Sequence, residues 1–267
     1  MQQSGAVCEF TNSDSWVILS PIEQSIKRKI ESVGTPLKDW DINIYRGVLT
    51  GYNEAFIIST EKRDEILANC QSEDERERTA ELIRPILRGR DIKRYGYNWA
   101  NLWLINTHNG IRGKLERIHI EDYPAVKAHL DQYWDRISKR ADKGDTPYNL
   151  RNCAYLEDFY KPKLFYADIT QRLNFCICNE VMFCNNTTYF IATKSEETLE
   201  YLYKYLNSPI ADWYYRTKSV QLGEKAVRMF SIYMLEIPIP PMIKDIETYK
   251  LLGLTPTEVA FIEDREY

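Results

Sequence analysis

The chain has 267 residues, room for one large domain or two small ones, and its 35 Lys and Arg against 39 Asp and Glu give a formal charge of -4. With 44% hydrophobic and 28% charged residues it is too apolar to stay unfolded, yet no run approaches the ~18 apolar residues of a membrane-spanning helix. The stretch from Met1 to Phe10 has neither a basic nor an apolar signal region, so a cytoplasmic location is expected, and the acidic balance leaves only local basic faces for nucleic acid.

In chain order, short apolar runs at Trp16 to Leu19, Ile42 to Leu49 and Ala55 to Ile58 suit strands. Thr50-Gly51-Tyr52-Asn53 lies between the last two as a turn, so the expectation is a hairpin with a polar tip. Residues 61–82 carry eight acidic and four basic side chains, a solvated helical region with Ser72 and Glu75 as capping box, which Pro85 then breaks. Leu102 to Ile105 reads as a strand. Val126, Leu130, Tyr133 and Ile137 recur at helical spacing within 121–143, with Gly144 as C-cap.

Lys163 to Ile169, Phe175 to Cys178 and Tyr189 to Ala192 read as strands. Thr193 and Glu196 form a capping box for a helix with Leu199, Leu202, Tyr203 and Leu206 on one face, ending before Pro209. Ile232 to Ile239 is a last strand-like run, stopped by Pro238, Pro240 and Pro241. A helical tail follows, capped by Thr255 or Thr257. The class is α+β.

The six cysteines lack the dense spacing of a disulfide framework, and Cys176, Cys178 and Cys184 read as buried thiols rather than a metal site. There is no Gly-x-Gly-x-x-Gly, P-loop or Gly-x-Ser-x-Gly motif, and His108, His119 and His129 are not spaced as metal or deaminase signatures. Asp91-Ile92-Lys93 has the Asp-x-Lys form of some metal-dependent nucleases; Asp91 is read in preference as ion-paired within its basic surroundings.

Three segments carry chemistry suited to DNA. The run from Arg84 to Arg94 holds five positive charges and one negative, with Arg88, Arg90, Lys93 and Arg94 as candidate contacts and Gly89 permitting close backbone approach. Between Trp213 and Arg228 the candidates are Lys218, Gln221, Lys225 and Arg228, alongside Arg216; the Gln amide is able to read an adenine edge. The turn contributes Arg46, Thr50, Tyr52 and Asn53. Other tyrosines and tryptophans are assigned to the core, and Tyr52 is excepted because it sits on a turn.

The segment Gly47-Val48-Leu49-Thr50-Gly51-Tyr52-Asn53-Glu54-Ala55-Phe56 resembles the Gly-x-x-Thr-Gly-x-Asn-x-Ala-Phe segment of the TaqI-like C-terminal specificity domain. That domain is the target recognition module of N6-adenine DNA methyltransferases and of type IIG restriction-modification enzymes. Leu87-Arg88-Gly89-Arg90-Asp91-Ile92 looks like its Leu-x-Gly-Arg-Asp-Ile segment, and Lys161-Pro162-Lys163-Leu164, Tyr205-Leu206-Asn207-Ser208, Ile237-Pro238-Ile239-Pro240 and Leu254-Thr255-Pro256-Thr257 follow in the family order. Neither the glycine-rich S-adenosylmethionine loop nor the Asp/Asn-Pro-Pro-Tyr/Phe tetrapeptide of the methyltransferases occurs, since Pro240-Pro241 is flanked by Ile239 and Met242.

The resemblance implies a mixed, largely antiparallel sheet with flanking helices, in which 1–242 form the recognition domain and 243–267 a helical tail packed on it. The chain itself is then not an enzyme. It would bind double-stranded DNA beside a methyltransferase or nuclease domain held in cis or as a subunit, with S-adenosylmethionine, and magnesium as a further candidate, in the parent enzyme. The alternatives are a metal-dependent endonuclease using Asp91 and Lys93, or a type I-like specificity subunit whose Leu199 to Leu206 helix and acidic tail dock a partner. The charge of -4 conceals a partition, with acids at 61–82 and after Lys244 and basic runs at Arg84 to Arg94 and Arg216 to Arg228.

Overall fold

Ser20 accepts the Glu23 N–H and Glu23 answers on the Ser20 N–H, which starts the helix Pro21–Val33 with proline at its first turn. In the structure, a computed structural model, residues 19–219, 221–222, 225–243 and 247–265 are described. They fall into two compact units: 43–168 with 174–199, and 19–42 with 169–173 and the described residues from 200 onward. The predicted strand at Trp16 to Leu19 lies outside the described residues apart from Leu19. Helices and mostly antiparallel strands mix along the chain, the α+β class expected.

The larger unit holds two four-stranded sheets. One runs in the order Phe175–Cys178, Lys163–Ala167, Thr188–Ala192, Asn43–Arg46, all antiparallel. All five residues of Lys163–Ala167 are buried, as expected of a central strand covered on both faces. The other is ordered Phe183–Cys184, Ile83–Leu87, Leu102–Ile105, Ile57–Ser59, its first pair parallel and the rest antiparallel. Phe159 stacks on Phe183 at 4.5 Å and meets Phe190 at 4.8 Å, ring pairs worth about 1 kcal/mol each beyond the area they bury.

The strands at Leu102 to Ile105, Lys163 to Ala167, Phe175 to Cys178 and 188–192 stand where the apolar runs place them. The hairpin around Thr50 to Asn53 does not form. Asn43–Arg46 pairs with Thr188–Ala192, whereas Ile57–Ser59 pairs with Leu102–Ile105 in the other sheet, and Asn53–Phe56 is a turn of helix. The acidic region makes two helices, Thr60–Ala68 and Glu73–Leu82. Ser72 caps the second, but the buried Glu75 carboxylate accepts from the N–H groups of Gln71 and Ala125, so only half of the predicted capping box exists. Pro85 lies inside Ile83–Leu87, already past the helix end. The region 121–143 breaks into Pro124–Asp131 and Trp134–Ile137, with Val126, Leu130 and Ile137 buried as the periodicity requires.

In the smaller unit Thr35–Pro36 pairs antiparallel with Pro238–Ile239, and a three-stranded sheet joins Gln221–Leu222, Ala226–Arg228 and Ile169–Thr170. Ile232 to Ile239 is therefore not one strand: Ser231–Met234 is helical, and only its end pairs. Helix Pro209–Lys218, begun by Ser208 with proline in its first turn, starts at the residue expected only to stop the helix before it. Thr255 and Glu258 form the tail's capping box for Pro256–Glu263. Burial opposes ionisation of the Glu258 carboxyl, but hydrogen bonds from Lys29, Thr255 and Ser25 outweigh it and hold its pKa at about 2. The division between the units falls in Glu196–Leu206, which Ser195, not Thr193, caps by accepting the Thr198 N–H. No helix among the described residues is long and apolar enough to cross a membrane.

Candidate nucleic-acid interface

The two most distinctive motif segments of the larger unit meet at one turn, Asn185 to Thr187. Gly47 N–H donates to the Thr188 carbonyl and Val48 N–H to that of Cys184, while Asn185 N–H donates to the Leu87 carbonyl and Gly89 N–H to Thr187 Oγ1 at 2.9 Å. Thr187 Oγ1 in turn donates to Asn185 Oδ1 at 2.7 Å, which fixes the turn's shape. A β-carbon at Gly47 would lie 2.0 Å from the Asn185 oxygen, and one at Gly89 2.6 Å from the Thr187 oxygen. The close approach read at Gly89 is thus made to the protein's own backbone.

After Gly47 the chain turns inward. Thr50 is 2% exposed and donates to Asn53 Oδ1, so its hydroxyl is committed. Arg140 is buried beneath this segment. Its guanidinium donates to the carbonyls of Thr50, Asp142, Pro147 and Asn149 and lies 4.4 Å from the centroid of the Phe56 ring, with burial lowering its pKa to about 10. Tyr52 is half-buried, its hydroxyl on Glu54 and its ring against Tyr133. Arg46 remains exposed, held by its Nε on the Asn186 carbonyl and lying over Tyr189, and the side chain of Asn53 is at the surface.

After Gly89 the chain turns outward. Asp91, 4% exposed, accepts from the N–H, Nε and a terminal nitrogen of Arg88 at 2.8, 3.0 and 2.8 Å, a bidentate pair closed by a backbone bond. This is the ion pairing expected of Asp91, and it uses Arg88 as structure. Ile92–Lys93 and Gly96–Tyr97 then form a small hairpin with Arg94 and Tyr95 as its two-residue loop. Asn98 N–H donates to the Asp91 carbonyl and Tyr95 N–H to the Phe175 carbonyl, so the base and the loop are both tied down. Arg90, Lys93 and Arg94 are exposed; Lys93 Nζ reaches the Arg90 carbonyl and Arg94 lies 4.9 Å from the Tyr95 centroid. The expectation that tyrosines other than Tyr52 belong to the core fails at Tyr95, which is 55% exposed and has a left-handed φ of 68°. Its place between a basic run and Gly96 was the available sign of a loop.

In the smaller unit the predicted cations divide in the same way. Arg216 is buried, paired with Asp212 at 3.3 Å and donating to the carbonyls of Lys225 and Gln171. Lys218 is half-buried at the end of its helix, while Lys225 and Arg228 are exposed, with Arg228 over Phe230. Gln221 pairs with Val227, but its side chain lies outside the described residues.

The other chemistry is accounted for by packing. His129 is buried with Nε2 on the Ala55 carbonyl, burial lowers the pKa of both His108 and His129, and His119 lies beside Glu116. Cys176, Cys178 and Cys184 are buried, and burial pushes the Cys176 thiol up to about 12. Among the described residues no group of three or more His, Cys, Asp or Glu could hold a metal ion, and both Asp91 oxygens are taken by Arg88.

The family model of the TaqI-like C-terminal specificity domain matches residues 84–239. No curated protein matches the chain. Among solved structures, the type IIG restriction endonuclease BpuSI superposes with a TM-score of 0.52 at 16% identity, covering 91% of this chain and 28% of that one. The type IIL restriction-modification enzyme MmeI, solved in complex with DNA, gives a TM-score of 0.54 at 14% identity, covering 86% of this chain and 27% of that one. The chain therefore spans under a third of either enzyme and shares the fold of that part. It belongs to the TaqI-like C-terminal specificity domain family.

Proposed function

We propose that this chain is the target recognition domain of a restriction-modification N6-adenine DNA methyltransferase of the type IIG kind, reading double-stranded DNA for a catalytic region held in cis or as a subunit. The observation that carries the reading is the turn Gly89–Asp91 and the tethered hairpin after it, inside the family match, which present Arg90 from the turn and Lys93 and Arg94 from the hairpin to solvent. Exposed cations on a rigid element suit phosphate contact, and an Arg fork suits a guanine edge. Arg46 and Asn53 would add polar contacts from the neighbouring segment, and Lys218, Gln221, Lys225 and Arg228 a second basic surface on the smaller unit. Residues 243–267 would serve as a helical tail of the recognition domain.

S-adenosylmethionine, and magnesium where cleavage accompanies methylation, are assigned to the catalytic region. The described residues of this chain offer no carboxylate cluster for a metal. The test is binding of the purified chain to a pool of random duplexes at about 50 mM salt. The expected result is weak binding that falls steeply with added salt and no methyl transfer by the chain alone. Absence of binding to every duplex would overturn the reading.

A further inference from the structure

The loop from Asn109 to Arg117 in the larger unit is a fixed lobe that none of the DNA-suited segments includes. Ile111 and Leu115 exchange backbone bonds, N–H to carbonyl in each direction, and a β-carbon at Gly110, whose φ is 72°, would lie 2.4 Å from the Leu115 oxygen. The base of the lobe is held from two sides. Ile118 N–H donates to the His108 carbonyl, and Asn149 Nδ2 donates to the Ile118 carbonyl at 2.8 Å. Asn109 Nδ2 donates to Asp145 Oδ1 at 3.0 Å and to Asn152 Oδ1, while Asn109 Oδ1 accepts the Asp145 N–H at 2.8 Å.

Between this lobe and the chain at Asp145 and at 152–154 lies a cleft of about 590 Å³. Arg112 and Arg117 both line it, and neither has an acidic partner within 4 Å among the described residues, whereas Lys114 between them is paired with Glu157. Asp145 is the acid among the lining residues, and burial pushes the Cys153 thiol up to about 11, so that group stays neutral at pH 7. Two guanidiniums against one carboxylate leave the cleft positive, and an anion placed there relieves their mutual repulsion.

Size and walls narrow the ligand. A cleft of this volume lies in the range of sites for small organic molecules, about 300–1,000 Å³, and is far larger than one inorganic phosphate needs. The planar fork of arginine suits phosphate oxygens. Ile111 and Leu115, the latter 39% exposed, add apolar wall, and Asn152 and Asp145 add hydrogen-bonding groups. A phosphate joined to a flat group with apolar faces and polar edges meets all three demands. We infer that the cleft beneath the 109–117 loop binds a nucleotide, with its phosphate on Arg112 and Arg117 and its base against Ile111 and Leu115. A free nucleotide and an unpaired nucleotide of a DNA strand offer the same chemistry. The inference goes beyond the recognition reading and does not rest on it.

The experiment measures equilibrium binding to the full chain of the four deoxynucleoside 5′-monophosphates, of a random single-stranded oligonucleotide pool and of inorganic phosphate. The same measurements are made on the Arg112→Gln, Arg117→Gln pair and on Arg112→Gln alone. Binding of a monophosphate that falls roughly tenfold or more in the pair, at an unchanged melting temperature, supports the inference with a free nucleotide as occupant. Binding of the oligonucleotide pool alone, with the same loss, supports it with a DNA strand as occupant. Should the pair unfold, Arg112→Gln, which changes one exposed side chain, is expected to show a smaller loss in the same direction. Inorganic phosphate bound as tightly as the monophosphates, binding that the folded variants retain in full, or no binding of any of the three probes would overturn the inference. Duplex binding, on which the recognition reading depends, is scored separately, so either reading is able to fail without the other.

Discussion

The segments Gly47 to Asn53 and Gly89 to Tyr95 enter alike and leave differently. Each begins with a glycine pressed on the Asn185 to Thr187 turn and goes on to polar side chains, all uncharged in the first segment and mostly charged in the second. In the first, the polar groups are largely consumed by the fold: Thr50 is closed on Asn53, its carbonyl held by Arg140, and Tyr52 is turned against Tyr133. In the second, one acid neutralises one arginine, and the remaining cations face water. Like entries thus serve to hold the scaffold in one segment and to present chemistry in the other, and the distinction lies in the charge each segment carries and in which buried partner each backbone meets.

The largest effect that separates the two is expected at Arg140. Arg140→Met would take a donor from four carbonyls, of which that of Asn149 keeps the Gly144 N–H, and cost about 4 kcal/mol, read by urea unfolding, while whatever fraction folds keeps its DNA affinity. Next, Gly47→Ala and Gly89→Ala force a β-carbon onto the Asn185 to Thr187 turn and should each cost about 3 kcal/mol, Gly47 more because its contact is tighter. A cost below about 0.5 kcal/mol in either would show that the turn is not the shared support. Asp91→Asn removes the charged half of the Arg88 pair and should cost about 2 kcal/mol by the same measurement. The smallest change in stability, within about 0.5 kcal/mol, is expected for Arg90→Ala or Lys93→Ala, whose side chains are exposed.

What the sequence makes legible here follows the range of each signal. The Thr255 cap, the Ser72 half of the box expected with Glu75, and the strands at Leu102–Ile105 and Phe175–Cys178 depend on neighbours within a few residues, and these stand as expected. The supposed hairpin at Thr50 to Asn53 fails because Arg46 pairs with Tyr189, a partner far along the chain that local alternation does not reveal. Helix Pro209–Lys218 is missed because Pro209 is taken as a stop, although proline after a capping serine starts a helix, as Pro21 does after Ser20. Among the site residues, the basic run at 84–94 is plain in the sequence, but the division of labour within it is not: Arg88 is committed to Asp91, Arg90 is free to face solvent, and Tyr95 is raised to the apex by a hairpin only two pairs long.

The most direct measurement is the salt dependence of duplex binding for the parent chain and for the combined Arg90→Ala, Lys93→Ala and Arg94→Ala variant. If the outward hairpin is the phosphate-holding element, the slope of log affinity against log salt shrinks by about 2 to 3 while the melting temperature is unchanged. An unchanged slope in a folded variant would place the DNA contact elsewhere and contradict the account.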